Sequence, residues 1–225
     1  MRPPRVSALG FSMLRCEMPI RAAFYIDGFN AYHALDALRA PHLKWLNWWA
    51  LAETLIPSQS HHLSRIVLCT ATRTDDVGKQ NRHRKYVAAL ESVGVTCLLG
   101  HFSNEPRSCR HCGEHWQSPV EKQGDVNLAL TMLGDAYEDV FDHCYLVTTD
   151  GDHVSTVRNI KNRFPSKSVT TVVITGRSHN RHLLSLADDK MTITRASLER
   201  SLFPKLITGE KAILRPAEYD PPGGG

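Results

Sequence analysis

The sequence predicts one α/β domain in which helices cover both faces of a mainly parallel sheet. Apolar runs of strand length alternate with amphipathic stretches of helical length along most of the 225 residues. Such alternation requires right-handed crossover connections, which place helices on both faces of a parallel sheet. In addition, aspartates directly follow two of the apolar runs. Acidic residues in these positions would meet at one edge of the sheet, where ligands of α/β proteins usually bind.

The predicted strands are apolar or β-branched runs, each bounded by polar or turn-forming residues. The last of them is expected at an edge of the sheet. The predicted strands cover residues 22–26, 65–70, 95–99, 144–148, 169–174 and 191–194.

Helices are predicted between these strands from apolar spacing and from boundary residues. Pro41 closes the first helix, Asn47 caps the second, Pro57 ends it, and Gly94 stops the third. The predicted helices cover residues 31–38, 48–56, 79–93, 120–137, 154–164, 178–186 and 197–202.

The domain is expected to span residues 22–204, after a flexible extension at 1–21 and before a disordered tail at 205–225 that is rich in proline and glycine. Hydrophobic residues make up 42% of the chain, which is enough for a core. No apolar run approaches the roughly 18 residues of a membrane span. Cys16 and Glu17 stand where a signal peptide needs small residues, so no signal peptide is expected.

Charge and cysteine content set weaker limits on partners and location. A net charge of +4 is compatible with a nucleic-acid partner but does not require one. Six cysteines are too few for a disulfide scaffold, and those within apolar runs are expected to be buried free thiols. A reducing cytoplasm is therefore the expected location.

Four aspartates are expected to share one site. Asp27 follows the first strand, Asp150 and Asp152 follow the fourth, and Asp125 lies near the start of a helix. Any one of them alone could simply cap a helix or form a turn. Together they would repel one another unless a hard cation such as Mg²⁺ or Mn²⁺ held them. The set therefore predicts a metal site suited to phosphate chemistry.

Three segments resemble, in order, the motifs of the NYN domain family, in its LabA-like (DUF88) branch of the PIN-like nucleases. They read Tyr-Ile-Asp-Gly-Phe-Asn at 25–30, Glu-Lys-Gln-Gly-Asp-Val-Asn at 121–127 and Thr-Thr-Asp-Gly-Asp at 148–152. The resemblance extends from about residue 22 to residue 202. It implies a three-layer PIN-like fold and cleavage of RNA with Mg²⁺ or Mn²⁺. It also implies metal binding by the four aspartates and a polar role for Asn30 at the rim of the site.

The third motif departs from the family pattern, which usually reads Ser-Gly-Asp-Ser-Asp. Thr148, Thr149 and Gly151 fill the positions of the small residues here. Thr149 places a β-branched side chain where the backbone could need the freedom of glycine. Metal binding by the aspartates is still expected, whereas the departure puts cleavage activity in question.

The expected chemistry is hydrolysis by metal-activated water, without a covalent intermediate. Asp27 and Asp150 are predicted to hold an ion that polarises the phosphate, and Asp125 and Asp152 a second ion that lowers the pKa of water. The sequence leaves open whether one or two ions bind. Glu121 is placed one helical turn before Asp125, beside the ligands or as a base.

Basic and aromatic residues are candidates for RNA contacts. Lys122 could neutralise a phosphate oxygen, and Arg82 and Lys85 could bind backbone phosphates if their helix lies at the acidic edge. Arg177 follows the fifth strand and could contact RNA there. For each of these cations a solvated surface position is the alternative. The tryptophans could stack on bases, although packing in the core is the stronger hypothesis; they are Trp45, Trp48 and Trp49.

Cys109 and Cys112 have the C-x₂-C spacing of a zinc knuckle. They lie in the stretch 101–119, which has no periodicity and is predicted to be an insertion loop. His101 and His115 are the nearest candidates for the other zinc ligands. A redox pair or two unreactive thiols are alternatives, but a redox motif of this type normally opens a helix. Structural zinc is therefore the favoured hypothesis.

The sequence thus favours a cytoplasmic, metal-dependent ribonuclease acting on single-stranded RNA, with a homodimer possible. A phosphatase of the haloacid dehalogenase type would need a second acid two residues after Asp27, and Phe29 occupies that position. No Gly-rich turn of the Rossmann type follows any predicted strand. A module that binds RNA, keeps the metal site and cuts weakly remains the alternative.

Overall fold

A computed structural model describes residues 18–72 and 76–223. Most of its strands form one sheet, and two short ones form a separate ribbon. The strands are β1 (Ile20–Asp27), β2 (His61–Thr72), β3 (Thr96–Ser108), β4 (His115–Lys122), β5 (His143–Val147), β6 (Ser168–Ile174), β7 (Asp189–Ile193), β8 (Leu206–Ile207) and β9 (Ile213–Leu214).

The main sheet has the order β4-β3-β2-β1-β5-β6-β7. Every neighbouring pair in it is parallel except β3 and β4, which are antiparallel. The predicted edge position of the strand near residue 191 is confirmed, because β7 is the last strand on its side.

Helices connect the strands and cover the sheet. They are α1 (Gly28–Ala37), α2 (Trp48–Leu55), α3 (Val77–Glu91), α4 (Gly124–Tyr137), α5 (Val154–Arg163), α6 (Arg181–Leu184) and α7 (Arg195–Arg200). Asn47 caps α2 as predicted, because its side chain accepts a hydrogen bond from the backbone N–H of Ala50 at 3.1 Å. Within the described part of the chain, none of the helices is long and apolar enough to cross a bilayer.

Two apolar layers lie on opposite faces of the sheet, because successive side chains of a strand point to opposite faces. Phe24 and Ile26 of β1 pack with residues of α1, α2, α3 and α7. Ala23 and Tyr25 pack with residues of α4, α5 and α6. The predicted three-layer α/β architecture is therefore confirmed. Trp45 and Trp48 lie in the first layer, so core packing holds for both.

The stretch 101–119 is not the predicted loop. It forms the outer part of an antiparallel hairpin, whose pairing runs from Ser108 opposite His115 to His101 opposite Lys122. β3 pairs with β2 only as far as His101. Beyond that point the hairpin is a two-stranded ribbon with many exposed side chains, so its sequence shows no apolar alternation.

The fourth helix begins later than predicted, because residues 120–122 belong to β4. Gln123 then reverses the chain with a left-handed backbone, φ 73°, and α4 begins at Gly124. Glu121 therefore lies in a strand opposite Phe102, and the predicted placement one helical turn before Asp125 is wrong.

The chain ends also differ in part from expectation. Residues 1–17 of the predicted extension lie outside the described residues, and β1 already begins at Ile20. The tail predicted to be disordered contains β8, β9 and a 3-10 turn, Ala217–Tyr219. Tyr219 packs against the first apolar layer, and this burial is the physical reason for the order.

Arg21 joins the beginning of β1 to the segment that precedes β5. Its Nη2 lies 2.6 Å from Asp142 Oδ1, and its Nε and backbone N–H both donate to Asp142 Oδ2 at 2.9 Å. These hydrogen bonds lower the pKa of the Asp142 carboxyl to about 2. The charged carboxylate therefore stabilises the fold at pH values above its unfolded pKa, near 3.9.

We predict that Asp142→Asn lowers the free energy of unfolding at pH 7, because it removes the ion pair with Arg21. The loss should be only about 1 kcal/mol, because the side chains of Arg21 and Asp142 are both partly solvated. The deficit should shrink as pH falls below about 4 towards 2, since the wild-type carboxylate is then protonated as well. Urea unfolding of the wild type and the variant at pH 7 and pH 3 measures this difference in the free energy of unfolding. Glu210→Gln, which removes an exposed carboxylate, is the control and should show no such loss; a deficit independent of pH would contradict the role of the ion pair.

Candidate metal centre

Three side chains meet at the C-terminal edge of the parallel strands. Asp27 ends β1, Asp125 lies in the first turn of α4, and His153 ends the 3-10 turn that leads into α5. One potential ligand atom from each lies within 4.8 Å of the other two. His153 Nε2 is 3.5 Å from Asp125 Oδ1.

Asp27 is held in place by two hydrogen bonds. Its Oδ1 accepts from the backbone N–H of Asn30 at 2.9 Å, and its Oδ2 accepts from the Thr148 hydroxyl at 2.8 Å. The residue is only 9% exposed. Burial raises the pKa of Asp27, the negative charge of Asp125 adds to the rise, and the two hydrogen bonds oppose it. A carboxylate in this position therefore lacks a full counter-charge.

His153 was not singled out in the sequence, yet it completes the cluster. Its side chain is 1% exposed, and neither ring nitrogen has a hydrogen-bond partner among the described residues. An unsatisfied buried polar group costs about 1–3 kcal/mol. The available signal was its position directly after Asp152, since imidazole beside carboxylates is a common ligand set.

A divalent cation fits these residues. It would give the buried imidazole a partner and balance the two carboxylates. Two oxygens and one imidazole nitrogen suit Mn²⁺ and related first-row ions better than Mg²⁺, which prefers oxygen ligands throughout. Asp27, Asp125 and His153 are therefore the residues that could hold the ion.

Asp150 and Asp152 lie at the same edge of the sheet but outside this three-residue group. Both are exposed and follow β5, the neighbour of β1. Asp150 Oδ1 accepts from the backbone N–H of Asp152 at 3.0 Å, so Asp150 caps the 3-10 turn. The structure thus brings together Asp27 and Asp125 of the predicted four aspartates.

Asn30 connects the first turn of α1 to the end of β5. Its Nδ2 donates to Thr149 Oγ1 at 3.0 Å, and its Oδ1 accepts from the Thr149 backbone N–H at 3.2 Å. Thr149 is not among the non-glycine residues with positive φ. The position therefore does not need glycine, and its side chain contributes to the connection with Asn30.

Three of the four cations predicted to contact RNA bond to groups outside this cluster. Lys122, on β4, pairs with Glu105, and Arg82, on α3, pairs with Glu218 at 2.7 Å. Arg177 donates to the carbonyl of His33 at 2.9 Å. The fourth, Lys85, is exposed on α3. Their roles in binding RNA remain predictions. The side chain of Glu121 lies outside the described part of the structure.

Cys109 and Cys112 lie in the turn at the tip of the hairpin. The turn is closed by hydrogen bonds from Cys109 N–H to the Glu114 carbonyl at 2.8 Å and from Gly113 N–H to the Cys109 carbonyl at 2.9 Å. Gly113 has φ +73°, a conformation that favours glycine. Backbone N–H groups of Cys112 and His111 lower the pKa of the Cys109 thiol, which favours the thiolate that zinc needs.

His101 cannot share an ion with this pair. It lies opposite Lys122, whereas the tip begins where Ser108 faces His115. Seven residues at about 3.3 Å each separate His101 from Ser108, a distance of roughly 23 Å. The prediction of His101 as a zinc ligand is therefore wrong. His115 lies next to the turn and stays a predicted ligand.

We predict that Mn²⁺ raises the melting temperature of the wild-type protein and that Asp125→Asn weakens Mn²⁺ binding by at least roughly tenfold, because one charged ligand is lost. Asp125 is exposed, so the variant should fold. Calorimetric titration of EDTA-treated protein gives the affinity. Asp189→Asn, which removes an exposed aspartate on β7, is the control; equal Mn²⁺ affinities for the two variants would contradict a site at Asp125.

The comparisons with known proteins include a curated relative and a solved structure. The relative is described as 6-hydroxy-3-succinoylpyridine 3-monooxygenase HspA of Pseudomonas putida (strain DSM 28022 / S16); it is 26% identical, over 89% of this chain and 76% of its own length. The solved structure is a protein of unknown function, VPA0982, from Vibrio parahaemolyticus RIMD 2210633. It has a TM-score of 0.56 and 20% identity, covers 80% of this chain and 96% of its own, and supports the fold.

A family model shows the membership directly. The model of the NYN domain matches residues 21–195, a range that contains the strands of the main sheet except the first residue of β1, and also the three residues of the metal cluster. The chain belongs to the NYN domain family.

Proposed function

We propose that this protein is a metal-dependent ribonuclease of the LabA-like branch of the NYN family, acting on single-stranded RNA. Membership of the family points to the nuclease superfamily. The observation that carries the proposal is the cluster of Asp27, Asp125 and His153, in which a buried imidazole lies beside two carboxylates and has no hydrogen-bond partner among the described residues. This arrangement favours a bound divalent cation.

The residues of the chain have distinct roles in the proposed reaction. A divalent ion held by Asp27, Asp125 and His153 would supply Lewis-acid polarisation of the phosphodiester. Thr148 and Asn30 fix the Asp27 carboxylate, so its orientation is set before substrate binds. Asp150 and Asp152 are exposed at the rim and remain the proposed acids for a second ion or for accepting a proton from the attacking water.

The bond changes follow from hydrolysis. The oxygen of a water molecule bonds to phosphorus while the bond from phosphorus to the leaving ribose oxygen breaks. One water proton passes to an acceptor carboxylate at the rim, and the leaving oxygen takes up a proton from solvent. No covalent bond to the protein forms in this scheme.

The name of the Pseudomonas putida relative raises a second candidate, oxygenation of a pyridine derivative. The observation in its favour is a donor set with imidazole nitrogen, which also suits iron. Oxygen uptake in the presence of 6-hydroxy-3-succinoylpyridine and a reductant measures this activity. At 26% identity we give the ribonuclease priority because the family match covers residues 21–195.

We predict that the wild-type protein cleaves labelled single-stranded RNA with Mn²⁺ and that EDTA abolishes cleavage. Asp27→Asn and Asp125→Asn should lower the rate by at least about a hundredfold, because each removes a charged ligand. Asp189→Asn is the control and should retain the wild-type rate. Gel analysis of the products over time gives the rates.

A further variant, Asp150→Asn, and an RNA-binding assay of the wild type separate cleavage from binding. A ribonuclease should lose cleavage in Asp150→Asn as well, because this acid is proposed to hold an ion or to accept a proton. A folded, Mn²⁺-loaded wild-type protein that binds RNA and leaves it intact would instead make this a binding module. The ribonuclease proposal would then be wrong.

We also propose that Cys109 and Cys112 bind a structural zinc ion at the hairpin tip, with His115 as a third ligand. The turn presents both sulfur atoms from one tight loop, and the lowered pKa of Cys109 favours its thiolate. A zinc ion would stiffen a ribbon that extends beyond the rest of the sheet.

Zinc content should fall by roughly tenfold or more in Cys109→Ser, since a structural site rarely survives the loss of a thiolate. Cys97→Ser is the control, because burial raises the pKa of Cys97 to about 12 and disfavours its thiolate. His101→Ala should also keep its zinc. Elemental analysis by mass spectrometry measures the content. Equal zinc in Cys109→Ser and Cys97→Ser would contradict the assignment.

A further inference from the structure

A cavity of about 500 Å³ lies between α1 and α3, on the opposite face of the sheet from α4 and α5. The first half of α1, the end of β2, the start of α3 and the C-terminal 3-10 turn supply most of its walls. This volume is in the range of small-molecule sites and exceeds the gaps normally found in a packed core.

Aromatic rings form much of the cavity wall. Phe29 and Tyr32 of α1 are 48% and 44% exposed and lie towards solvent, whereas Trp48 is 2% exposed and lies deep. Tyr86 donates a hydrogen bond from its hydroxyl to the Leu46 carbonyl at 2.8 Å, which fixes its ring. Tyr219 closes another side. Several aromatic rings around a cavity favour a planar aromatic ligand that stacks on them.

Charged groups also line the cavity. Among the described residues of the wall there are three cations and one acid, Glu218, which pairs with Arg82 at 2.7 Å. Lys44 lies over the Tyr32 ring at 4.5 Å and pairs with Asp36. The carboxylates that meet these cations are largely exposed, so an anionic ligand could replace them at small cost. The lining cations are Lys44, Lys79 and Arg82.

The cavity adjoins the metal cluster along the chain. Asp27 is followed directly by Gly28 and Phe29, which both line the cavity. Consecutive Cα atoms are about 3.8 Å apart, so one turn of backbone separates the two sites. Gly28 packs against the end of β2 so closely that a Cβ atom there would lie 2.5 Å from the Cys69 carbonyl oxygen. The start of α1 therefore lies between the metal cluster and the cavity.

We infer that the cavity between α1 and α3 binds one unstacked nucleobase with its phosphate, next to the phosphodiester held at Asp27 and Asp125. The aromatic walls accept the base, and the cations accept the phosphate without reading its sequence. A nucleotide of a single strand and a free mononucleotide share this chemistry. The inference deepens the proposed ribonuclease function and rests on it for the identity of the strand.

The test measures binding rather than cleavage. EDTA-treated protein is titrated with adenosine and uridine 5′-monophosphates, a labelled single-stranded RNA hexamer, ribose 5-phosphate and nicotinate, a heteroaromatic carboxylate. Phe29→Ala and Tyr32→Ala remove exposed rings at the cavity, so both should fold. Tyr137→Ala is the matched control, because Tyr137 is an exposed aromatic residue on α4.

Phe29→Ala and Tyr32→Ala should weaken binding of the hexamer or of a mononucleotide by roughly tenfold, and Tyr137→Ala should not. If the two cavity variants lose affinity for the hexamer alone, the ligand is a nucleotide of the strand. If they lose affinity equally for the mononucleotides, the ligand is a free nucleotide. Unchanged affinities in both cavity variants would overturn the inference. Binding of ribose 5-phosphate as tight as that of the nucleotides, or tighter binding of nicotinate, would overturn it too.

Failure of this inference and failure of the ribonuclease proposal give different results. RNA cleavage by a protein whose cavity variants bind normally would leave the ribonuclease standing without the base site. Ring-dependent nucleotide binding by a protein that cuts no RNA would leave the base site standing without the nuclease.

Discussion

The carboxylate of Asp27 is buried beside a second carboxylate, and much of the C-terminal edge of the sheet is arranged around it. Its two oxygens are fixed by the Asn30 backbone and the Thr148 hydroxyl, which come from different elements. These bonds offset only part of the cost of burying a charge, as the raised pKa of Asp27 indicates. A bound cation would remove the remaining cost. It would also give a partner to the His153 ring, which has no hydrogen bond to any of the described residues.

Asp27 also lies at the boundary between the metal cluster and the cavity between α1 and α3. Asp27 caps α1, so the chain leaves the metal cluster and immediately forms the wall of the aromatic cavity on the other face of the sheet. A parallel sheet makes this possible, because its strands end together and its crossovers leave that edge in both directions. The two surfaces are therefore adjacent in space as a direct result of the chain topology.

The antiparallel hairpin of β3 and β4 has one end near the metal cluster along the chain and the other end far from it. Its inner end is close to the cluster along the chain, because β4 leads through Gln123 into α4, which carries Asp125 in its first turn. Gly100 allows β3 to approach the Lys122 carbonyl, where a Cβ atom would lie 2.5 Å away. Its outer end carries the cysteine turn, which is too far from His101 to share an ion with it. The hairpin can thus hold a structural ion without joining the metal cluster.

Sequence alone determined the α/β class and the alternation of strands and helices, because apolar periodicity is a local signal. It also predicted one site for four aspartates, of which the structure brings Asp27 and Asp125 together. The hairpin was missed because a ribbon exposed on both faces needs no apolar alternation, and Glu121 was misplaced with it. His153, Thr148 and the cavity depended on tertiary structure. His153 can act as a ligand, and Thr148 can hold the Asp27 carboxylate, only because packing brings distant elements within a few ångströms of each other. The same packing removes water from between them.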